Sequence, residues 1–101
     1  MATNKEYAAF ILEQCDGLSA RVMMGEYVLY FGSKVVGGLY DNRLLVKSTV
    51  GARSLLPNAE YQLPYEGAKE MLLVDNLVDK EFLTKLFEVI SQELPTYKKR
   101  K

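Results

Sequence analysis

The sequence contains no histidine, no tryptophan and a single cysteine, Cys15. Without histidine, the chain lacks the usual general base near neutral pH and the commonest metal ligand. One cysteine cannot complete a zinc site or an internal disulfide, and its position near a predicted helix C-terminus favours an inert buried thiol. The sequence therefore predicts no metal, no cofactor and no catalytic residues, and we expect a protein that is not an enzyme.

Long hydrophobic runs are also missing from the chain. No apolar stretch approaches the roughly 20 residues that cross a bilayer, and the first residues lack the apolar core of a signal peptide. These absences predict a cytoplasmic protein without membrane association. Hydrophobic residues make up 49% of the chain and charged residues 26%, which is ordinary for a globular protein. We expect a single domain over residues 1–95, followed by a flexible basic tail at 96–101.

The 13 basic and 13 acidic residues balance, but they are unevenly distributed. The last four residues are all basic, so nine basic residues remain against 13 acidic ones in the body. An acidic body is not expected to bind nucleic acid through its folded surface. The tail is a candidate for weak phosphate contacts, although we favour a solubilising terminus. Its basic residues are Lys98, Lys99, Arg100 and Lys101.

Residues 23–47 are the stretch around which the rest of the chain is organised. Residues 27–31 form a β-branched and aromatic run, typical of a half-buried strand. The pairs Gly32-Ser33 and Asp41-Asn42 predict tight hairpins, the first with a positive φ at the glycine. Strands joined by two-residue turns must be neighbours, so the pattern predicts a three-stranded antiparallel meander.

Glycines inside this region leave one choice open. Residues 19–24 form either a separate first strand or, in the interpretation we favour, one strand with the Tyr27 run that bends at Gly25. Gly37 and Gly38 are expected to mark a bulge or a close backbone approach, since the strand–glycine–helix context of a phosphate loop is missing.

Helices are predicted before and after the meander. Thr3 and Glu6 match a capping box, which predicts a helix to about Gln14 or Cys15 that ends at Gly17. The order α-β(3)-α-β(2)-α predicts an α+β fold, a mostly antiparallel sheet of about five strands covered by helices on one face. The later elements are a helix at Val50–Leu55 capped by Ser48-Thr49, a short edge strand near Glu60–Leu63, a strand at Lys69–Val74, and a helix at Lys80–Glu93. The last helix is capped by Asp79 or, as the alternative, starts at Asn76.

Several short motifs between residues 23 and 83 carry a family resemblance. They are Met23-Met24-Gly25-Glu26-Tyr27 with Leu29-Tyr30, Lys34-Val35-Val36-Gly37, Arg43-Leu44-Leu45-Val46-Lys47, Tyr65-Glu66-Gly67-Ala68-Lys69 and Phe82-Leu83. In this order they resemble the N-terminal domain of the TfoX/Sxy family, with Met24 and Glu66 where that family usually has Phe and Pro. The resemblance covers roughly residues 7–94 and implies a stand-alone domain of this type.

The resemblance also implies a function and a fold. The family contains bacterial co-regulators of competence and transcription that act with a partner activator, and its fold is similar to that of secretion chaperones, which commonly form dimers. We therefore predict a non-enzymatic protein-interaction module with a protein partner, such as a transcription factor, and a homodimer. The alternative is a weak nucleic-acid-associated protein that binds phosphates through its basic tail.

The candidate interaction surface combines the methionine–glycine motif with two tyrosines. The seven tyrosines of the chain favour this reading, because tyrosine buries apolar area at interfaces while keeping a polar tip. For both groups we favour the plainer interpretation, in which the methionines fill a core-facing bend and the tyrosines are ordinary edge packing. The candidate residues are Met23, Met24, Gly25, Glu26, Tyr27, Tyr61 and Tyr65.

Overall fold

The structure, a computed structural model, describes residues 3–94 and shows three helices and one six-stranded sheet. Every strand pair is antiparallel, in the order β1-β2-β3-β4-β6-β5, which confirms the α+β class with one strand more than expected. The elements are α1 (Lys5–Glu13), β1 (Leu18–Met23), β2 (Glu26–Phe31), β3 (Lys34–Leu39), β4 (Leu44–Val46), α2 (Val50–Leu55), β5 (Tyr61–Gln62), β6 (Met71–Val74) and α3 (Lys80–Glu93).

The extra strand comes from a hairpin at Met24 and Gly25. Both residues have positive φ, 54° and 85°, and the flanking residues Met23 and Glu26 are register partners. The favoured interpretation of one strand bent at Gly25 is therefore wrong, and the chain reverses in a two-residue turn. Two consecutive positive φ values are the pattern of a type I′ turn, which normally carries Asn or Asp before the glycine.

The two hairpins that were predicted, at Gly32-Ser33 and Asp41-Asn42, are confirmed. Gly32 has φ 65°, as expected for a glycine that begins a two-residue loop. Asp41 and Asn42 have φ 56° and 58°. The flanking Tyr40 and Arg43 exchange backbone hydrogen bonds of 2.9 and 3.1 Å across this turn.

The glycines of β3 have the two roles expected of them. The β2–β3 register shifts after Leu29, which pairs with Gly37, while Tyr30 pairs with Val35. The strand therefore bulges at Val36. A Cβ on Gly37 would overlap the carbonyl oxygen of Leu45 on β4, so this position also requires a close backbone approach.

Helix α1 begins one residue later than the capping-box prediction. Asn4 is its N-cap, and its Oδ1 accepts hydrogen bonds from the N–H groups of Glu6 at 2.7 Å and Tyr7 at 3.4 Å. The Thr3 hydroxyl instead donates to Glu26 Oε1 at 2.6 Å. The predicted Thr3 cap is therefore wrong, because a carboxylate distant in sequence recruits that side chain.

The other two helices have the bounds and caps that the sequence predicts. Thr49 caps α2 by accepting from the Ala52 N–H, and Asp79 caps α3 by accepting from the Phe82 N–H. Within residues 3–94, no helix combines the length and the apolar character that a membrane crossing needs.

All three helices contribute to one hydrophobic core on one face of the sheet. Since alternate residues of a strand point to opposite faces, Leu44 and Val46 of β4 face the helices and Leu45 faces away. The helical core residues are Ala8, Ile11, Ala52, Leu83, Leu86, Phe87 and Ile90, and the strand residues are Leu18, Leu29, Val36, Leu39, Leu44, Val46, Leu72 and Val74. The core thus fixes which side chains remain on the opposite, helix-free face.

Candidate interaction site

The helix-free face of the sheet carries a second, smaller layer of packing. Leu45 is fully buried but lies outside the core cluster beneath the helices. Its register partner on β3 is Gly38. The ring of Tyr40 lies on Gly38, with its hydroxyl 2.6 Å from the position of a Cβ there. The missing side chain at residue 38 therefore makes room for the Tyr40 ring on this face.

Tyr40 forms an aromatic pair with Tyr65 from the segment between β5 and β6. The ring centroids are 6.1 Å apart and the planes meet at 61°, an edge-to-face arrangement. Arg43 links the Tyr40 backbone to β5, since its guanidinium donates to the Tyr40 carbonyl at 3.0 Å and to Gln62 Oε1 at 2.6 Å. Burial is the main cause that raises the pKa of the Tyr40 phenol, and the charges of Tyr65 and Glu26 raise this pKa further. Tyr40 therefore remains a neutral, amphipathic group at physiological pH.

One cleft lies on the β1–β2 side of this aromatic pair, and we call it the hairpin cleft. Its volume is about 500 Å³, and most of its lining is apolar. Two of its residues are strongly exposed, Met24 at 96% and Tyr65 at 62%. The lining residues are Met23, Met24, Glu26, Val28, Tyr40, Pro64 and Tyr65.

A second cleft lies on the other side of the pair, and we call it the lysine cleft. Its volume is about 410 Å³, and it shares Tyr40, Pro64 and Tyr65 with the hairpin cleft. Lys47 and Lys69 line it together with small and apolar groups. Its remaining lining residues are Val35, Gly37, Ser48, Thr49, Ala68, Glu70 and Met71.

Met24 is the most unusual residue of the hairpin cleft. It has a positive φ of 54° although it is not glycine, asparagine or aspartate. This conformation costs about 1 kcal/mol or more in an L-residue with a long side chain. Because the side chain is almost fully exposed, packing against the described residues 3–94 does not offset that cost.

A hydrogen-bond network holds the tip of the β1–β2 hairpin. Glu26 Oε1 accepts from the Thr3 hydroxyl at 2.6 Å and from the Asp41 N–H at 3.1 Å. The Thr3 N–H donates to the Gly25 carbonyl at 3.1 Å, and the Asn42 N–H donates to Thr3 Oγ1 at 3.2 Å. The hairpin is thus tied to the β3–β4 turn and to the start of α1, which fixes the wall of the cleft.

The structure brings together four of the seven residues of the predicted surface. Met23, Met24, Glu26 and Tyr65 line the hairpin cleft, so the favoured interpretation, in which the methionines face the core, is wrong. Gly25 supplies the second positive φ of the turn.

The other predicted residues lie elsewhere. Tyr27 packs against the core beneath the helices, since its strand position alternates with that of Val28. Tyr61 lies on β5, at the edge of the sheet opposite β1, and does not share the site. The basic tail residues Lys98, Lys99, Arg100 and Lys101 lie outside the described residues.

Sequence reasoning missed three residues of the hairpin cleft, Val28, Tyr40 and Pro64. Period-two alternation along the meander was a usable signal for Val28 and Tyr40, because both have the parity opposite to the core residues Leu29 and Leu39. Pro64 had no such signal, since it lies in a segment without regular structure.

Within residues 3–94, no three His, Cys, Asp or Glu side chains are arranged to hold a metal ion. Cys15 is buried, as expected, and burial is the main cause that raises the pKa of its thiol. The Thr84 hydroxyl donates a hydrogen bond of 3.5 Å to its sulfur. The sulfur therefore lies in the helix-facing core, away from both clefts.

The chain is similar to an "Uncharacterized 12.7 kDa protein in trpE 5′region" of Spirochaeta aurantia, with 43% identity over 105 residues that cover 100% of this chain and 91% of the relative. No family model matches the sequence, and no solved structure matches it. The resemblance to the TfoX/Sxy family therefore stays a prediction.

Proposed function

The chain belongs to the same family as the uncharacterized 12.7 kDa protein of Spirochaeta aurantia, and we propose that it is a non-enzymatic module that binds a protein partner in the hairpin cleft. The partner inserts apolar side chains between the hairpin tip and Tyr65. The helix-facing core stays closed during this binding, so the module recognises its partner without a change of fold.

The observation that carries this proposal is Met24. Met24 has a backbone conformation that is unfavourable for methionine, and its 96% exposed side chain gains almost no packing from residues 3–94 in return. Such residues concentrate at functional sites, where the side chain is retained for what it contacts outside the fold. A flexible, polarizable methionine beside an aromatic pair is well suited to an adaptable protein interface.

Charge defines the kind of partner. Glu26 lines the cleft, and Asp41 and Glu66 directly follow its two tyrosines in the sequence. Residues 3–94 contain 13 acidic and nine basic side chains. We therefore assign the cleft to a segment with apolar anchors flanked by lysine or arginine, because opposite charge at the rim favours encounter and orientation.

The family resemblance supports a regulatory role for this partner. The motif Met23-Met24-Gly25-Glu26-Tyr27, which resembles the TfoX/Sxy family, forms the hairpin that builds one wall of the cleft. A cytoplasmic transcription regulator is accordingly the class of partner that we propose.

The test compares the wild type with Met24→Asn and Val50→Asn. Asn keeps the turn geometry at residue 24 and removes the apolar side chain. Val50 is 70% exposed at the start of α2 and lines neither cleft, so Val50→Asn controls for the loss of an exposed apolar group. Binding is measured by fluorescence anisotropy to two synthetic peptides with the same apolar residues, one flanked by lysines and one by glutamates.

We expect the wild type and Val50→Asn to bind the lysine-flanked peptide at least roughly tenfold more tightly than the glutamate-flanked one, and Met24→Asn to lose that binding. Capture from a bacterial lysate with the same three proteins then identifies the natural partner. Equal binding by Met24→Asn and the wild type, or a preference for the acidic peptide, would refute the proposal.

A further inference from the structure

The two edges of the sheet differ in length and regularity. Strand β5 forms one edge and has only two residues, whereas β1 forms the other with six residues and a continuous register against β2. Natural proteins blunt exposed edges with short strands, bulges, prolines or charges. Strand β1 has neither proline nor bulge and a single charged residue, Arg21, so it remains able to pair.

The backbone of β1 presents a defined set of groups at this edge. The Gly32 N–H donates to the Gly17 carbonyl at 3.3 Å, so odd-numbered residues here direct their backbone groups toward β2. By alternation, Leu18, Ala20 and Val22 direct theirs outward. The Leu18 N–H is already bonded to the Cys15 carbonyl. The outer edge of β1 therefore presents the N–H groups of Ala20 and Val22 and the carbonyls of Leu18, Ala20 and Val22.

We propose that β1 pairs antiparallel with β1 of a second copy of this chain, centred on Ala20. Ala20 then lies opposite Ala20 of the second copy, and their backbones exchange two hydrogen bonds. Val22 lies opposite Leu18 of the second copy, and the Val22 N–H donates to that Leu18 carbonyl. The two six-stranded sheets become one continuous sheet around a two-fold axis.

Side chains select this register over its neighbour. A pairing centred on Arg21 forms a similar number of backbone bonds but places Arg21 opposite its own copy, which is destabilising. The Ala20-centred pairing places Arg21 opposite Ser19 instead. It also places Val22, which is 63% exposed, against the edge of the second copy's core at Leu18. The interface is thus self-complementary in its backbone, its apolar groups and its charge.

Disulfide trapping tests the register directly. Ala20→Cys and Arg21→Cys are each made in the full chain with Cys15→Ala, oxidised mildly and separated on non-reducing gels. The Cα atoms of paired Ala20 residues are expected about 5.5 Å apart, within disulfide range, whereas the Arg21 residues are about 7–8 Å apart on the diagonal. We expect a covalent dimer from Ala20→Cys alone. A covalent dimer from Arg21→Cys instead would overturn the register.

The oligomeric state provides a second, independent measurement. Val22→Lys places a charge opposite Leu18, and we expect it to weaken the dimer by roughly tenfold or more in sedimentation equilibrium. Val78→Lys, at a position 75% exposed outside the sheet, controls for the added charge and leaves the dimer intact. A monomeric wild type up to millimolar concentration would refute the self-pairing. The hairpin-cleft proposal is judged separately by the Met24→Asn experiment.

Discussion

Gly51 of α2 lies so close to Val89 of α3 that a Cβ on the glycine would overlap Val89 Cγ1. Alanine is a better helix former than glycine by about 1 kcal/mol, so propensity alone favours Gly51→Ala. The contact with Val89 reverses the expected effect of Gly51→Ala on stability, because the two helices must move apart to accept the methyl group. We expect Gly51→Ala to lower the free energy of unfolding by about 1–3 kcal/mol, measured by urea denaturation.

The matched control for Gly51→Ala is the same change in a Val89→Ala background. Without the Val89 methyl group, the remaining close approach is the end of the flexible Glu93 side chain, 2.9 Å from the position of a Cβ, so Gly51→Ala is expected to cost much less stability than in the wild type. An equal loss of stability in both backgrounds would show that Val89 does not cause it.

Lys34 of β3 ties the end of α3 to the sheet. Its Nζ donates to the carbonyls of Ser91 at 2.8 Å and Leu94 at 3.1 Å, where the negative end of the helix dipole lies. We expect Lys34→Met to reduce the free energy of unfolding by about 1–2 kcal/mol, because two partly buried carbonyls lose a charged donor. Faster hydrogen exchange in the last turn of α3 accompanies the loss. Lys85→Met, on the exposed side of α3, serves as the control and is expected to change little.

Glu93 makes stability depend on pH in the acidic range. Hydrogen bonds from Thr49 and from the Gly51 N–H lower the pKa of its carboxyl below the ordinary value. A lowered pKa in the folded state gives stability that is present above the unfolded-state pKa and is lost as the pH falls through the folded-state pKa. We expect the wild type to be more stable than Glu93→Gln at pH 7 and the difference to shrink below about pH 4.

Urea midpoints between pH 2.5 and 7 measure this dependence for the wild type, Glu93→Gln and Glu88→Gln. Glu88→Gln removes a charge from an exposed position of the same helix. A constant difference between the wild type and Glu93→Gln at every pH would contradict the assignment to Glu93.

Met24→Asn is expected to stabilise the protein while it abolishes binding in the hairpin cleft. Asn before glycine suits two consecutive positive φ values, so the substitution relieves backbone strain worth about 1 kcal/mol. The urea midpoint measures the gain, and Met23→Asn, inside β1, lacks this gain because its φ is not positive. A loss of stability in Met24→Asn would mean that the methionine packs within the fold.

The parts of the fold that local signals encode were predictable. The α2 and α3 helices have the predicted bounds because each carries its N-cap, Thr49 or Asp79, next to its apolar stripe. The turn at Asp41-Asn42 was equally readable, since both residues tolerate the left-handed region.

Features that depend on distant partners were not predictable in this way. Thr3 is taken from its predicted capping role by Glu26, which lies 23 residues away in the sequence. The type I′ turn at Met24 and Gly25 was not predicted, because methionine rarely adopts a positive φ. Tyr40 and Tyr65 form one site only after the sheet order brings their segments together. The sequence therefore predicted the part of the candidate site at the hairpin tip, but not the pairing of Tyr40 with Tyr65.

Leu45 is buried on the side of the sheet that is easier to open than the helix-facing core. Within residues 3–94, its side of the sheet carries no helix, and the segment at residues 63–70, which holds Tyr65 against Tyr40, contains neither helix nor strand. Lifting this segment exposes far less apolar surface than unfolding the core, so it requires less free energy. We therefore expect both clefts to widen more easily than the helix-facing core opens, so that the proposed partner would select a form with this segment lifted.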